Sequence, residues 1–300
     1  MRLRALVVVF LAVLIVQAPV AGAKRPRPPV FLLAAGDITG CPPSGASLTA
    51  RLIERLPGTV AALGDQAYPD GTISEYQNCY APTWGRFKAR TRPTPGNHDY
   101  ALGNAHGYFS YFGARAHPPY GYYSYSLGSW HVIALNSNCK YAGGCGSGSA
   151  QLAWLRADLA AHPARCTLAY WHHARFSVGP NAVNDAFAAL AMQPIWQTLV
   201  KAGVDLALTA HDHMYERFAP LNTFGWEDPA HGMREFVVGT GGGYFYPFAR
   251  SVAGIQKVIG NRWGVLRLRL LPSGYRWQFL SVPGGAVLDS GSSSCHDSTG

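Results

Sequence analysis

Five short segments of this 300-residue chain place residues that bind metal ions directly after apolar stretches or in the loops beyond them. In open α/β sheets, ligands bind at the carboxyl ends of the strands, so five such loops can converge on one point. Each segment alone is compatible with an ordinary polar turn, but the five together predict one shared site. The segments are Gly36 and Asp37, residues 64–68 (GDQAY), residues 96–99 (GNHD), His172 and His173, and residues 211–213 (HDH).

These residue types suit a site for two metal ions. Carboxylate, imidazole and amide groups are ligands for Fe, Zn or Mn. One carboxylate that bridges two cations can hold them roughly 3.5–4 Å apart, the arrangement used in two-metal phosphate chemistry. Such a pair can activate water as hydroxide and neutralise the phosphoryl oxygens, so no histidine nucleophile is needed. If His211 and His213 lie on a strand, their imidazoles face the same side, which favours shared coordination.

Apolar runs predict strands and helices that position these segments. Residues 30–35 (VFLLAA) and 59–63 read as strands buried on both faces, and each is followed by Gly-Asp. Residues 47–56 between them have helical spacing, so the three elements predict a βαβ unit. A helix is predicted from Ser149 to about His162, where Pro163 follows. The other predicted elements are the helix 194–202 and the strands 122–127, 130–136, 166–171, 206–209, 235–238, 265–271 and 275–282.

The pattern predicts an α/β fold with one domain over residues 30–283, in which two mixed sheets pack together with helices outside. No segment within this range has the composition of a linker. Residues 284–300 are rich in Ser and Gly. They are predicted to form a loose C-terminal tail unless Cys295 anchors them.

The N-terminus has the features of a secretory signal peptide over residues 1–23. A short basic start precedes an apolar run over residues 5–20, and the small residues 21–23 (AGA) suit cleavage. An uncleaved membrane anchor is the alternative, because the run approaches the length of a short span. We favour cleavage, which leaves a Pro- and Arg-rich leader over residues 24–29, no stable membrane anchor and a secreted protein.

The six cysteines fit an oxidising compartment, where an even number predicts three disulfides. Fifteen pairings are possible. The pair Cys139 and Cys145 is the simplest, because Gly143 and Gly144 let the short loop close. No C-x-x-C pair is present in the sequence, so a zinc knuckle is not expected.

Composition narrows the function classes. Hydrophobic residues make up 48% of the chain and charged residues 14%, which favours a buried core over disorder. The formal net charge of +9 attracts anions such as phosphate esters. The basic residues are scattered rather than interleaved with aromatic ones, so specific nucleic-acid binding is not expected.

Taken in order, the five segments resemble the signature of the calcineurin-like metallophosphoesterases, and the spacing of Asp65 and Tyr68 is similar to the purple acid phosphatase branch. The resemblance covers residues 30 to about 217 and implies a four-layer α/β/β/α sandwich. It implies that Asp37, Asp65, Tyr68 and His213 bind a first metal ion, with Asp65 bridging to a second. The resemblance further implies that Asn97, His172 and His211 complete the coordination of the second metal ion. It also implies that His98 donates a hydrogen bond to phosphate or to the leaving oxygen, and that Asp99 orients His98.

Some positions depart from the family pattern or decide between neighbours. His172 is favoured over His173, because His172 and Ser177 fit the His-x-x-x-x-Ser spacing of the family. Ala210 replaces the usual Gly, and Thr39 stands where many relatives outside this branch have a ligand His. That absence fits Tyr68 as a ligand, which implies Fe(III) at its site and Fe(II), Zn or Mn at the other. Residues 24–36 leave no room for an extra N-terminal domain, so the small, single-domain form is expected.

The resemblance implies a secreted phosphoesterase that hydrolyses phosphate monoesters by in-line attack of metal-bound hydroxide. A phosphodiesterase or nucleotide hydrolase that uses the same two-metal site is the alternative. A non-catalytic scaffold of the same fold is a more remote one, because no ligand of the set is missing. The substrate preference, the second metal, the oligomeric state and the pH optimum are not predicted.

Three other features receive less specific interpretations. The run of residues 239–243 (GTGGG) lacks the Lys-Ser/Thr of a P-loop and is interpreted as backbone that passes close to the site. Asp212 is interpreted as a spacer between two ligands. The aromatic residues between 100 and 112 could line a substrate cleft or belong to the core: Tyr100, Tyr108, Phe109, Tyr111 and Phe112.

Overall fold

The computed structural model describes residues 29–43 and 45–296. The predicted signal peptide 1–23 and nearly all of the predicted leader lie outside the described residues. Among the described residues, no helix combines the length and the apolar character needed to cross a membrane.

The chain alternates strands and helices in its first two thirds and ends in antiparallel strands. The strands are β1 (Val30–Ala35), β2 (Thr59–Leu63), β3 (Thr91–Thr94), β4 (Tyr123–Leu127), β5 (Trp130–Ala134), β6 (Cys166–His173), β7 (Leu206–Ala210), β8 (Tyr215–Leu221), β9 (Met233–Val238), β10 (Ile255–Ile259), β11 (Gly264–Leu271), β12 (Gly274–Ser281) and β13 (Ala286–Ser294). The α-helices are α1 (Gly45–Glu54), α2 (Ile73–Glu75), α3 (His106–Phe112), α4 (Ala150–Ala161), α5 (Asn181–Asn184), α6 (Ala186–Ala191) and α7 (Gln193–Lys201). Short 3₁₀ or π turns cover Tyr76–Tyr80, Trp84–Arg90, His98–Tyr100 and Gly113–Ala116.

Two mixed sheets form the centre of the fold. The six-stranded sheet has the order β13-β12-β11-β1-β2-β3, and the seven-stranded sheet has the order β10-β8-β9-β7-β6-β5-β4. The parallel strands β1, β2 and β3 of the first sheet come from βα units, as do β5, β6 and β7 of the second. The predicted site segments lie at or just after the carboxyl ends of β1, β2, β3, β6 and β7.

Alternation along the strands of the second sheet separates two apolar layers. Leu206 and Leu208 of β7 face the first sheet, whereas Ala207 between them joins the apolar layer under the helices. That helical layer is completed by Leu152 of α4 and Trp196 of α7. On the other side of the molecule, α1 packs Ala46, Ala50 and Ile53 against the first sheet. Helices therefore cover both outer faces, and the predicted arrangement of two mixed sheets flanked by helices is confirmed.

The Ser- and Gly-rich segment at the C-terminus is ordered over residues 286–294. These residues form β13, which pairs antiparallel with β12 along the edge of the first sheet. The sequence predicted a loose tail unless Cys295 anchors it, and Cys295 is disulfide-bonded to Cys166. The predicted pair Cys139–Cys145 is present, and Cys41–Cys79 is the third disulfide.

The aromatic residues between 100 and 112 belong to the core rather than to a cleft. Tyr100, Tyr108 and Phe112 are at most 5% exposed. Phe109 and Tyr111 are half-buried and pack against the same cluster. Their rings make edge-to-face contacts, as between Tyr108 and Phe109, with centroids 5.1 Å apart.

Candidate metal centre

Asp37 and Asp65 occupy equivalent positions after the parallel strands β1 and β2. Both have left-handed backbone conformations, with φ of +56° and +50°, which cost about 1–3 kcal/mol each for residues other than glycine. Each follows a glycine, and a Cβ at Gly36 would lie 2.7 Å from the carbonyl oxygen of Leu63. The tight turns place both buried carboxylates at the carboxyl ends of their strands.

Asp37 Oδ1 forms one group of three candidate ligand atoms with the hydroxyl of Tyr68 and Nε2 of His213. The Tyr68 hydroxyl donates to Asp37 Oδ1 at 2.8 Å, and His213 Nε2 lies 3.2 Å from the same oxygen. His213 Nε2 is also 3.1 Å from the Tyr68 hydroxyl. Atoms that each lie about 2.0–2.2 Å from one shared cation are separated from one another by distances comparable to these three. The separations of these three atoms are therefore compatible with one shared ion.

A second group surrounds His172, and Asp65 lies between the two groups. His172 Nε2 is 3.1 Å from Asn97 Oδ1 and 3.3 Å from Asp65 Oδ2. The same Asp65 oxygen is 3.2 Å from the Tyr68 hydroxyl. Asp65 is thus placed where a bridging carboxylate between two ions would be.

Backbone carbonyls orient the imidazoles of both groups. Nδ1 of His172 lies 2.8 Å from the carbonyl oxygen of Leu63, and Nδ1 of His213 lies 2.5 Å from that of Tyr244. A carbonyl can only accept, so Nδ1 carries a proton, and Nε2 is the nitrogen that faces the carboxylates and would bind a cation. This is the usual orientation of histidine ligands in metal sites.

His211 reaches the second group from a turn rather than from a strand. β7 ends at Ala210, and His211 has φ of +72°, so the prediction that a strand directs His211 and His213 to one side is wrong. His213 contacts Asp37, whereas the ring of His211 lies 5.0 Å from that of His172. His211 Nε2 is buried and makes no hydrogen bond among the described residues.

Two further residues lie beside His211: His173, over which the sequence analysis favoured His172, and Asp185, which was not predicted. His173 and His211 have ring centroids 4.5 Å apart, and Asp185 Oδ2 lies 3.4 Å from His211 Nε2 and 3.8 Å from His173 Nε2. His173 Nδ1 is 2.7 Å from Ser137 Oγ. Asp185 directly follows α5 and belongs to no recognisable sequence motif, so the sequence did not predict its position beside His211.

His98 lies at the open side of the centre. Its side chain is 34% exposed, its Nε2 is 4.0 Å from Asp65 Oδ2, and its ring lies 4.6 Å from that of Tyr68. The ring is held through Nδ1, which lies 2.6 Å from the carbonyl oxygen of Pro69. This position suits a donor to a bound phosphate.

Asp99 does not orient His98, contrary to the hypothesis from the sequence. Its Oδ2 accepts from the backbone N–H groups of Gly96 and Asp65, and its Oδ1 accepts from the Tyr76 hydroxyl at 2.6 Å. Its carboxyl therefore positions Asp65, while Pro69 holds the imidazole of His98. Burial, with the Asp65 charge nearby, raises the pKa of Asp99 to about 7.

The electrostatics of the centre show mutual compensation between acids and histidines. Burial alone would raise the pKa values of Asp37 and Asp65, but His213 and His172 respectively outweigh it, and both pKa values are lowered. Burial would lower the pKa of His172, but Asp65 raises it to about 9. Burial and the two carboxylates raise the pKa of Tyr68, so its phenol keeps its proton without a cation. Carboxylates, phenol, amide and imidazoles together fit hard to borderline cations.

Two further segments support the centre from outside. A Cβ at Gly239 would lie 2.7 Å from Asp37 Oδ2, so the glycine run 239–243 does pass close to the site. Asp212 is more than a spacer, because its Oδ1 accepts from the backbone N–H of Asn181 and its Oδ2 accepts from Ser177 Oγ at 2.5 Å. Ser177 Oγ is also 2.6 Å from Glu216 Oε1. One hydroxyl proton cannot serve both carboxylates, and burial raises the pKa of Glu216 to about 8, so Glu216 supplies the second proton.

Comparison with known proteins gives one family match. The family model described as calcineurin-like phosphoesterase matches residues 16–215. Comparison with curated proteins finds no significant match.

Solved structures with the same fold come from diverse proteins. The chain is similar to purple acid phosphatase PPD1 from seeds of yellow lupin (Lupinus luteus), with a TM-score of 0.68 and 18% identity over 89% of this chain and 54% of that chain. It is similar to GAP50, the anchor in the inner membrane complex of Plasmodium, with a TM-score of 0.66 and 14% identity over 90% of each chain. It is also similar to PhoD, with a TM-score of 0.60 and 14% identity over 94% of this chain and 72% of that one. The chain therefore spans about half the length of the lupin phosphatase.

Proposed function

The chain belongs to the calcineurin-like phosphoesterase family, and we therefore propose that it is a secreted two-metal phosphatase. It would hydrolyse phosphate monoesters by in-line displacement. The observation that carries the proposal is the position of Asp65 Oδ2, 3.2 Å from the Tyr68 hydroxyl and 3.3 Å from His172 Nε2. A carboxylate shared between two donor groups is the feature that a two-metal hydrolase requires.

Two ions would divide the donor atoms between them. Asp37, Tyr68 and His213 would hold the first, Asn97, His172 and His211 the second, and Asp65 would contact both. Two ions held by these residues would provide a nucleophilic water and offset the negative charge of the phosphoryl oxygens.

The remaining steps use side chains of the chain itself. His98 in its imidazolium form would donate from Nε2 to the phosphate or to the leaving oxygen, since Nδ1 is held by Pro69 and the side chain is accessible to a substrate. A positioned acid of this kind typically accounts for 10²–10⁴-fold in rate. Asp99 would act as a positioning residue through its hydrogen bond to the backbone N–H of Asp65.

The metal identities follow from the donor atoms. A phenolate from Tyr68 is a hard, anionic ligand that favours Fe(III) at the first position, whereas the amide and imidazoles of the second position accept Fe(II), Zn or Mn. Binding at the first position requires Tyr68 to release its proton, so uptake of the metal is coupled to loss of a proton.

Secretion is supported by the sequence of residues 1–23 and by three disulfides that use all six cysteines. The exported protein should begin near Lys24 and show no free thiol before reduction. N-terminal sequencing and thiol titration of protein from the medium test both points. An intact Met1 would contradict cleavage of the signal peptide, and six reactive thiols would contradict the three disulfides; neither result would affect the assignment of the reaction.

The reaction is tested by metal analysis combined with hydrolysis of p-nitrophenyl phosphate and bis(p-nitrophenyl) phosphate. The proposal expects two metal ions per chain and a higher kcat/KM for the monoester. A preference for the diester would favour the alternative phosphodiesterase on the same centre. Two bound ions without hydrolysis of either compound, or of nucleotides, would favour a scaffold.

A further inference from the structure

A second cluster of metal-binding side chains lies away from the dimetal centre. It consists of His131 on β5 together with Asp158 and His162 at the end of α4. His131 pairs with Thr167 of the parallel strand β6, five residues before His172, which is about 16 Å along the strand. We propose that this His131–Asp158–His162 site binds one zinc ion.

The donor atoms of the cluster have separations suited to a single ion. His131 Nε2 lies 2.9 Å from Asp158 Oδ2, and His162 Nδ1 lies 3.1 Å from Asp158 Oδ1. Nδ1 of His162 also donates to the backbone carbonyl oxygen of Asp158 at 3.0 Å, so His162 would bind an ion through Nε2, or through Nδ1 after this hydrogen bond is released. One ligand atom from each of the three residues can be chosen so that all lie within 4.8 Å of one another. Zinc takes imidazole nitrogens at about 2.0–2.1 Å and carboxylate oxygens at about 2.0–2.2 Å, so small side-chain adjustments would enclose it.

Two buried atoms of this cluster have no hydrogen-bond partner among the described residues. They are His131 Nε2 and Asp158 Oδ2, on residues that are only 5% and 7% exposed. The two atoms face each other at 2.9 Å as an ion pair, without the geometry of a hydrogen bond. Buried polar atoms are nearly always paired in folded proteins. A cation between these atoms would satisfy both.

The surroundings of Asp158 favour a cation. Ser124 Oγ on β4 donates to Asp158 Oδ1 at 2.6 Å, which fixes the carboxylate and leaves Oδ2 directed at His131. The cluster also lies at the C-terminus of α4, where the helix dipole is negative.

Zinc at this position would connect α4 to the edge of the seven-stranded sheet. Asp158 and His162 are one helical turn apart, and His131 belongs to the strand next to the edge strand β4. The side chain of His162 is 59% exposed, so the ion can enter from solvent and keep a water molecule as its fourth ligand. The chemistry expected of this site is structural stabilisation rather than hydrolysis.

The test is a calorimetric titration of ZnCl₂ into full-length protein whose dimetal centre is already loaded. Wild type should bind one additional zinc ion, and His162→Ala and His131→Gln should bind it at least about tenfold more weakly. The melting temperature should rise with ZnCl₂ for wild type but not for these variants. Hydrolysis of p-nitrophenyl phosphate by His162→Ala should equal that of wild type.

His231→Ala is the matched control. His231 is exposed and lies 3.7 Å from Asp228, but it belongs to none of the three-ligand groups among the described residues. This variant should keep the zinc affinity of wild type. Equal zinc binding by wild type, His162→Ala and His131→Gln would overturn the proposal, as would an equal loss in His231→Ala. Because His162 is largely exposed, its variant should remain folded even if His131→Gln does not.

Discussion

The backbone N–H of His98 donates to Oδ1 of Asp65 across 2.8 Å. The other oxygen of this carboxylate faces Tyr68 and His172, the side chains of the two donor groups. One buried carboxylate therefore holds the loop that carries the exposed histidine and lies between the two positions proposed for metal ions. Substitutions in this region must therefore distinguish attachment of the His98 loop from binding of metal ions.

Asp65→Asn should lose both metal ions and turnover. The asparagine can still accept from the backbone N–H of His98, but its neutral side chain no longer offsets two cations held at short range. Metal content by mass spectrometry and kcat for p-nitrophenyl phosphate measure the two effects. Asp228→Asn, outside the centre, is the control. Two bound ions with wild-type activity in Asp65→Asn would remove Asp65 from the bridging position.

His98→Ala should keep both metal ions and lose about 10²–10⁴-fold in kcat. The loop remains attached, because the backbone N–H that binds Asp65 is retained, while the donor towards phosphate is removed. His106→Ala, which removes an exposed imidazole elsewhere, should leave kcat unchanged. Loss of metal in the His98 variant would instead identify His98 as a ligand.

Tyr68→Phe should abolish the colour of the iron-loaded protein. A phenolate bound to Fe(III) donates charge under visible light, so oxidised wild type should be violet or pink at high concentration. The variant keeps the ring that contacts His98 but lacks the oxygen that lies 2.8 Å from Asp37. Absorption spectra of both proteins, reconstituted with iron under oxidising conditions, test this. An occupied ferric site whose spectrum does not depend on Tyr68 would exclude the phenolate ligand.

Glu216→Gln should flatten the pH dependence of stability. Burial raises the pKa of Glu216 from 4.5 to about 8, so the folded chain keeps a proton that the unfolded chain releases between these values. The free energy of unfolding should therefore fall as pH rises from about 4.5 to about 8, by up to ~1.4 kcal/mol per unit. Glutamine can donate to Ser177 and accept from Val178 without titrating.

Urea unfolding of wild type and Glu216→Gln at pH 5, 6.5 and 8 measures this difference. The gap between the two proteins should grow with pH in favour of the variant. Glu54→Gln, which changes a side chain that is 55% exposed, serves as the control. Parallel curves for wild type and Glu216→Gln would show that Glu216 is ionised in the folded protein.

Replacing Cys166 and Cys295 together by serine should lower the free energy of unfolding by about 2–5 kcal/mol. This disulfide closes a loop with a sequence separation of 129 and joins β6 of one sheet to the end of β13 of the other. The double variant of Cys139 and Cys145, whose separation is 6, should lose less. Urea unfolding of both variants decides the order, and an equal loss would contradict the dependence on loop length.

The predicted metal ligands lie close together because short sequence patterns around each of them determine its position. Asp37 and Asp65 are each preceded by an apolar strand and a glycine, and parallel strands end at the same edge of a sheet. The strand β3 (TRPT), which carries the GNHD segment, was not predicted because Arg92 and Pro93 break any strand pattern. Pro93 is tolerated because β3 lies at the edge of its sheet.

Other parts of the structure depend on contacts between distant residues. Asp185 meets His211, and Asp99 meets Tyr76, through packing that no periodicity in the sequence encodes. The strand β13 is rich in serine and has weak strand propensity, but β12 provides a partner along its whole length. The strands β8 and β10 were also missed, although β8 contains apolar residues at positions 215, 218 and 221.

The position of β1 in the first sheet has a consequence for biosynthesis. β1 pairs on one side with β2, which is near in sequence, and on the other with β11, whose residues are synthesised more than two hundred positions later. A ribosome that has just produced the ligand-bearing segments therefore holds a chain whose first sheet still has an open, apolar edge. Completion of the domain must wait for residues 264–271, so the nascent protein should depend on chaperones during translation.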